Sequence, residues 1–323
     1  FQILILGRSK KYDEFFKEHK IDIISHNSFF IGKKSIVKSF AWIPDFQFLH
    51  FPENYSLKVR ILKKINIIFT GLHSTKIILS SKCARSDLKK ISNNSFIKSI
   101  KNSFVFKLIE KKNLLSLSKL QKKYFISKKF IYLPNQYMKH KNHILVLKSL
   151  NELLKKNKNK DIKIISSGYS NDHRDSFYFK KILYYLDKYK LKKNFIYLGV
   201  VPFKDVMSFT YHSIAVLNPS KFEGWSTSVE QAKAMNKTII LSNIKVHKEQ
   251  NPKNAFYFRP HNHKELAKII EKVWFKRKKK NLKFALIYKR NKMELKDYAF
   301  RYQKIILNNK SNDKKNIINN NET

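Results

Sequence analysis

Glu223 and Glu230 stand with six residues between them in the stretch Asn218-Pro-Ser-Lys-Phe-Glu-Gly-Trp-Ser-Thr-Ser-Val-Glu, where the candidate chemistry of the chain concentrates. Gly224 lets the backbone come close to a ligand, and Ser226, Thr227 and Ser228 offer hydroxyls beside the free N–H groups of a helix start. A helix end of this kind attracts anions, phosphates above all. Glu223 lies in the loop before the helix and Glu230 in its first turn, so both carboxylates can reach the edge of one pocket. Two acceptors beside an anion site suit a ligand with phosphates and many hydroxyls. Glu230 also has a purely structural reading, because Thr227-x-x-Glu230 has the spacing of a capping box.

The elements that must hold this loop are legible on either side. Ser213-Ile-Ala-Val-Leu217 precedes it and Thr238-Ile-Ile-Leu-Ser242 follows. Both are continuously apolar, as strands buried on two faces are, so the whole reads as strand, loop, helix, strand: one βαβ unit.

The run from Phe222-Glu-Gly-Trp-Ser-Thr-Ser-Val-Glu-Gln-Ala-Lys-Ala-Met-Asn-Lys-Thr-Ile-Ile-Leu-Ser to Val246-His-Lys-Glu-Gln250 resembles the donor-site signature of family 4 retaining glycosyltransferases. The commonest spacing in that family has seven residues between the glutamates; the six found here resemble a subgroup with a Glu-Gly-Trp-Ser-Thr pattern. Asn236-Lys-Thr238 fills the turn that is usually Gly-Lys-Pro, and Asn tolerates the left-handed conformation nearly as Gly does. The resemblance implies a diphosphate clamp in the loop after the strand at Phe130. Lys141 falls on its Lys position and Gln136 on its Arg position, with Lys139 or His140 available to supply the second cation. It further implies that Val200, Val201 and Pro202 lie against the nucleotide base. In the first half, Asp45, Pro52 and Glu53 match an acceptor-side loop, with Pro44 where His is frequent and His50 as the available substitute. The other reading of His50 is a surface loop histidine.

A chain of 323 residues with 42% hydrophobic residues is long enough for two domains with a core each. The net charge of +45 admits nucleic-acid binding, an anionic membrane surface, or compositional drift toward Lys, Asn, Ile and Phe. The single cysteine, Cys83, excludes an internal disulfide and a cysteine-based zinc site, which fits a reducing cytosol. No apolar run of about 18 residues is present to span a membrane. Residue 1 is Phe inside an apparent strand, Phe1–Leu6, so a missing amino terminus is expected.

The expected fold is α/β: two Rossmann-like domains facing across a cleft, the glycosyltransferase B arrangement, with the first domain incomplete. Residues 1–125 form the acceptor-side domain, 126–290 the nucleotide-sugar domain, and 291–308 a helix crossing back. Residues 309–323, rich in Asn and Lys, are expected to be disordered. The stretch 93–120 reads as polar and irregular, and Phe275 to Lys280 as a solvated charge run. No Asp-x-Asp pair stands at a strand end, so no metal is expected, and the nucleotide-diphosphate sugar is a substrate rather than a cofactor. Leaving-group charge would fall on Lys141 and the helix N-terminus, Glu223 would hold sugar hydroxyls, and Glu230 the ribose. The resemblance implies a glycan or lipid-linked acceptor in cell-surface polysaccharide or lipopolysaccharide synthesis, and the expected place of the protein is cytoplasmic or peripheral on the inner face of the membrane. The alternatives are an inactive sugar-nucleotide-binding homologue and a basic nucleic-acid-binding protein, for which no recognisable module is found.

Overall fold

Apolar runs without polar alternation belong to strands covered on both faces, and in the computed structural model they form two all-parallel sheets. The structure describes every residue except 1, 2, 4, 5, 157–160, 173, 174, 176, 276–281 and 319–323; the side chains of 156 and 308–318 are also outside the description. The chain divides into two compact units, Phe1–Val105 with Met293–Thr323, and Phe106–Lys292.

In the first unit, strands β1 (Ile23–Asn27), β2 (Lys38–Ile43), β3 (Lys76–Leu79) and β4 (Ser99–Lys101) pair in chain order. The helices that cross between them start on serine caps: Ser56 accepts from the Val59 N–H, and Ser81 from the Ala84 N–H. Ile43, Phe46, Phe48, Ile77, Leu79 and Leu88 make the core. The opening strand expected over Phe1–Leu6 lies largely outside the described residues. At its end the Gly7 N–H donates to the Ile3 carbonyl at 3.0 Å, a helical spacing that corrects the extended reading there. Of the terminal helix, Phe284–Ile318, the part from Met293 onward belongs to this unit. There Tyr298 accepts from Asn102 and the Tyr302 hydroxyl is hydrogen-bonded to Ser25. The helix continues through the stretch expected to be disordered from about Asn308 as far as Ile318.

The second unit contains β5 (Ile131–Pro134), β6 (Ile164–Ser167), β7 (Phe195–Tyr197), β8 (Ala215–Asn218), β9 (Ile239–Ser242) and β10 (Ala255–Phe258). Their order across the sheet is β10-β9-β8-β5-β6-β7. The chain therefore runs outward one way through β6 and β7, and the other way through β9 and β10. The reversal falls between β5 and β8, paired by Ile131 with Ala215 and Tyr132 with Val216. In open parallel sheets this switch point leaves a crevice at the carboxyl ends of the two strands.

Residues 106–125 group with this unit, so its boundary falls earlier than the expected 126. The cause is packing: Leu120 on the helix Leu117–Tyr124 is buried with Ile126, Phe130, Tyr132 and Phe209. That helix, capped by Ser116, and the short strand β4 correct the irregular reading of this region. Lysines interrupt the apolar spacing of the helix, and three residues are too few to show a strand period. The charge run at 276–280 lies outside the described residues.

Candidate functional site

Two loops leave the switch point, one from β5 and one from β8, and buried side chains lock them together. Asn142 adopts a left-handed conformation, φ 63°, at the end of the turn Lys139–Lys141. Its amide nitrogen donates to the Pro219 carbonyl at 3.1 Å and to the Pro260 carbonyl at 2.9 Å. The Lys221 N–H donates to the His140 carbonyl at 2.7 Å, and Asn135 reaches Asn218 at 3.4 Å. Gly168, after β6, is required beside them: its φ is +152°, and a Cβ there would meet the Asn135 carbonyl oxygen at 2.3 Å.

This clasp brings Lys141 to Glu223. The Lys141 ammonium donates to both carboxylate oxygens, at 2.8 and 2.9 Å, with side chains only 16% and 9% exposed. Burial alone would raise the Glu223 pKa, but Lys141, His247 and Ser220 outweigh it and take the carboxyl down to about 2. Glu223 is thus a fixed anion, an acceptor for hydroxyls and not a proton donor at neutral pH. Two of the three Lys141 protons are engaged, which leaves one for an incoming anion.

His247 backs the pair. It is fully buried, with Nδ1 at 2.9 Å from the Ser242 carbonyl, and burial lowers its pKa from the ordinary histidine value. Its Nε2 has no hydrogen-bond partner among the described residues.

Asn218, the last residue of β8, organises the other side. Its amide donates to Ser226 Oγ at 2.8 Å and Ser228 Oγ at 3.1 Å, and lies 3.4 Å from Glu223. Ser226 is the N-cap of the helix Thr227–Ala234, yet no side chain caps it. The Ser226 hydroxyl is turned toward Asn218 and Ser228 instead, and the first helical amides keep their anion-attracting polarity. The capping-box reading of Thr227 and Glu230 is therefore corrected: Thr227 is exposed and already helical. Glu230 is buried and accepts from Lys233 at 3.1 Å and Gln250 at 2.9 Å. Gln250 donates also to the Ser226 carbonyl at 2.9 Å, tying Glu230 to the helix start.

The remaining candidates are placed less centrally. Gln136 is exposed, with its carbonyl accepting from the Met138 N–H. Val200 is 71% exposed and Pro202, also exposed, is the N-cap of the helix Phe203–His212. Gly224 and Trp225 are half-buried in the bend before Ser226, and Trp225 Nε1 is buried without a partner among the described residues. Lys139 turns away to line a separate cavity. Asp45 and His50 belong to the first unit. There Asp45 accepts from the Gln47 N–H at 2.9 Å, and His50 Nε2 lies 2.7 Å from Asp87. Among the described residues no group of three or more His, Cys, Asp or Glu is placed to share a metal ion.

Asn142, Asn218, His247 and Gln250 carry roles that sequence reasoning did not assign. Asn218 signals itself as the one polar residue closing an apolar strand, and His247 and Gln250 share a spacing of three on the helix Lys245–Gln250.

Residues 118–286 match the family profile described as "Glycosyl transferases group 1". No curated protein matches the sequence. Among solved structures, a glycosyltransferase from Rickettsia africae ESF-5 is 17% identical, with a TM-score of 0.61 over 93% of this chain and 80% of that one. Anabaena HepE in complex with UDP is 14% identical, TM-score 0.60, covering 81% of this chain and 70% of that one. Sucrose-phosphate synthase from Thermosynechococcus elongatus is 11% identical, TM-score 0.61; 81% of this chain aligns, spanning 66% of the synthase's length. At these identities the likeness establishes the fold, that of glycosyltransferases built from Rossmann-like domains.

Proposed function

The chain belongs to the glycosyl transferases group 1 family, and from that premise we propose that it transfers a sugar from a nucleotide-diphosphate donor to an acceptor hydroxyl, with retention, as family 4 enzymes do. The observation that carries this reading is the buried Lys141–Glu223 pair at the switch point of the sheet. Departure of a nucleoside diphosphate leaves negative charge on its outer phosphate, and the free donor of Lys141 together with the uncapped amides near Ser226 answers that charge. Glu223 holds sugar hydroxyls. Glu230, oriented by Gln250, takes the ribose hydroxyls. Charge is met by these groups, so the reaction is assigned no metal. HepE binds UDP in its solved complex, which makes uridine diphosphate sugars the first donors to test.

A glycan or lipid-linked acceptor in cell-surface polysaccharide synthesis follows from the family resemblance, and a cytoplasmic place at the inner membrane face from the charge. In support, the helix Leu57–Leu72 exposes Leu57, Ile61, Leu62 and Ile65 among Lys58, Arg60, Lys63 and Lys64. Each basic residue near an anionic surface contributes about 1 kcal/mol. Among the described residues, no helix is long and apolar enough to cross a membrane. Sedimentation with anionic but not neutral vesicles, reversed by salt, is expected.

A mass-spectrometric screen of the protein against nucleotide sugars tests the central reading. Release of nucleoside diphosphate with transfer or hydrolysis of the sugar is expected from at least one donor. Glu230→Ala should then weaken nucleotide binding, and Glu223→Ala should lower turnover more than affinity. Binding without turnover by the parent would favour a non-catalytic homologue, and neither binding nor turnover would refute the assignment.

A further inference from the structure

The loops that hold Lys141 and Glu223 also send two other lysines elsewhere. Lys139 and Lys221 line a cavity of about 530 Å³ with Lys148 on the helix His143–Lys156 and Lys181 on the helix Phe177–Lys188. The four ammonium groups come from four separate elements. Among the described residues none of them forms an ion pair with a carboxylate, unlike Lys90, Lys123, Lys141 and Lys233. Lys148 has one neighbour of note, the Tyr185 ring at 5.9 Å. Asp175 also lines the cavity, as do His261 and the apolar surfaces of Ile144, Phe177 and Pro260.

Like charges are not brought together at a concave surface without cost. Burial, reinforced by Lys139 and Lys148, lowers the Lys221 pKa below the ordinary lysine value, so the cavity already disfavours its own charge. An anion that enters removes that repulsion. A lysine-rich chain exposes ammonium groups everywhere, but most stand singly in water. Here four of them line one half-open cavity of the size that holds small-molecule ligands, beside an apolar shelf.

We propose that this cavity binds the phosphate of a small phosphomonoester, separately from the nucleotide at the Lys141–Glu223 pair. Lys148 and Lys181 meet the phosphate oxygens from the two helices, Lys139 and Lys221 from the two loops, and Phe177 with Ile144 covers the organic part. The volume exceeds what inorganic phosphate fills, which leaves room for a sugar-sized group. Because the Lys221 N–H is bonded to the His140 carbonyl, an occupied cavity would also fasten the two loops beneath the ion pair.

The test is equilibrium binding of inorganic phosphate and of glucose 6-phosphate to the parent, with and without saturating UDP. Both should bind, glucose 6-phosphate more tightly, and UDP should not displace them. Lys148→Glu/Lys181→Glu should weaken both at least tenfold and leave UDP affinity unchanged. The charge-matched control Lys10→Glu/Lys11→Glu, at exposed positions of the first unit, should bind like the parent. A parallel arm with vesicles containing phosphatidic acid separates a lipid headgroup from a soluble ligand: loss of vesicle binding in the Lys148→Glu/Lys181→Glu variant alone identifies the lipid as source. If phosphate binding is equal in the two double variants, or is fully displaced by UDP, the cavity is not a separate phosphate site. A protein that bound phosphate through these lysines yet no nucleotide would keep this inference and lose the donor assignment.

Discussion

Two regions of the molecule pair a polar loop with a strand end, and they do so differently. In the second unit, Lys141, Asn142, Asn218 and Glu223 are mostly buried, and the contacts Lys141–Glu223, Asn142–Pro219 and Asn135–Asn218 interlock the loops after β5 and β8. In the first unit, Asp45 bonds the backbone two residues on, and the exposed His50 pairs with Asp87, itself held by Lys90. The first arrangement spends polar groups on holding two loops at a switch point. The second consists of a local turn contact at Asp45 and a pair between two helices whose histidine is exposed to solvent. A ligand site needs charges that are fixed before the ligand arrives, and the buried Lys141–Glu223 pair supplies them in the second unit.

The contrast can be broken first through stability. Removing one partner of a buried ion pair leaves the other uncompensated, so Glu223→Ala should cost about 3–5 kcal/mol, and Lys141→Met/Glu223→Leu should recover most of it. His50→Ala, at a pair 35% exposed on the histidine side, should cost about 1 kcal/mol or less. Urea unfolding of the four proteins gives the comparison, and equal costs would erase it.

Acid should separate the regions next. The Glu223 carboxyl titrates at about 2 in the folded protein against 4.5 as its unperturbed value. Its folded pKa is depressed, so its stabilisation is complete above pH 4.5 and is lost as pH falls toward 2. The loss is on the order of 3 kcal/mol. The stability difference between parent and Glu223→Gln should therefore shrink over that window, and a constant difference would contradict the assigned pairing.

Smaller effects come from the clasp and the cap. Asn142→Ala meets both a left-handed backbone and two lost hydrogen bonds, about 2–4 kcal/mol together, whereas Asn142→Gly restores only the backbone part. Thermal denaturation should rank them parent, Gly, Ala. Asp45→Ala removes a turn contact at the start of the helix Gln47–His50, costs about 1 kcal/mol, and should leave nucleotide affinity untouched by calorimetry.

Much of the frame was legible in the residues. Continuous apolar runs announced β8 and β9, which are buried throughout, and the Asn236 turn takes the left-handed φ of 54° expected of it. The two glutamates stood out by type and spacing, and Lys141 through the family resemblance alone. What bound them together was not readable, because the Asn142 and Asn218 contacts join loops some eighty residues apart and leave no local period. For the same reason the capping box was a false friend: Thr227 and Glu230 have the spacing, but Asn218 claims the cap hydroxyl and Gln250 the carboxylate. The helix Leu117–Tyr124 was hidden by its lysines.

The measurement that bears most directly on the account is the turnover rate of Lys141→Ala on a donor the parent accepts, in protein shown by circular dichroism to be folded. A preorganised cation facing the leaving phosphate predicts a fall of about 10²- to 10³-fold, part of it regained by adding Gln136→Arg. A rate within a few-fold of the parent would contradict the role given to Lys141.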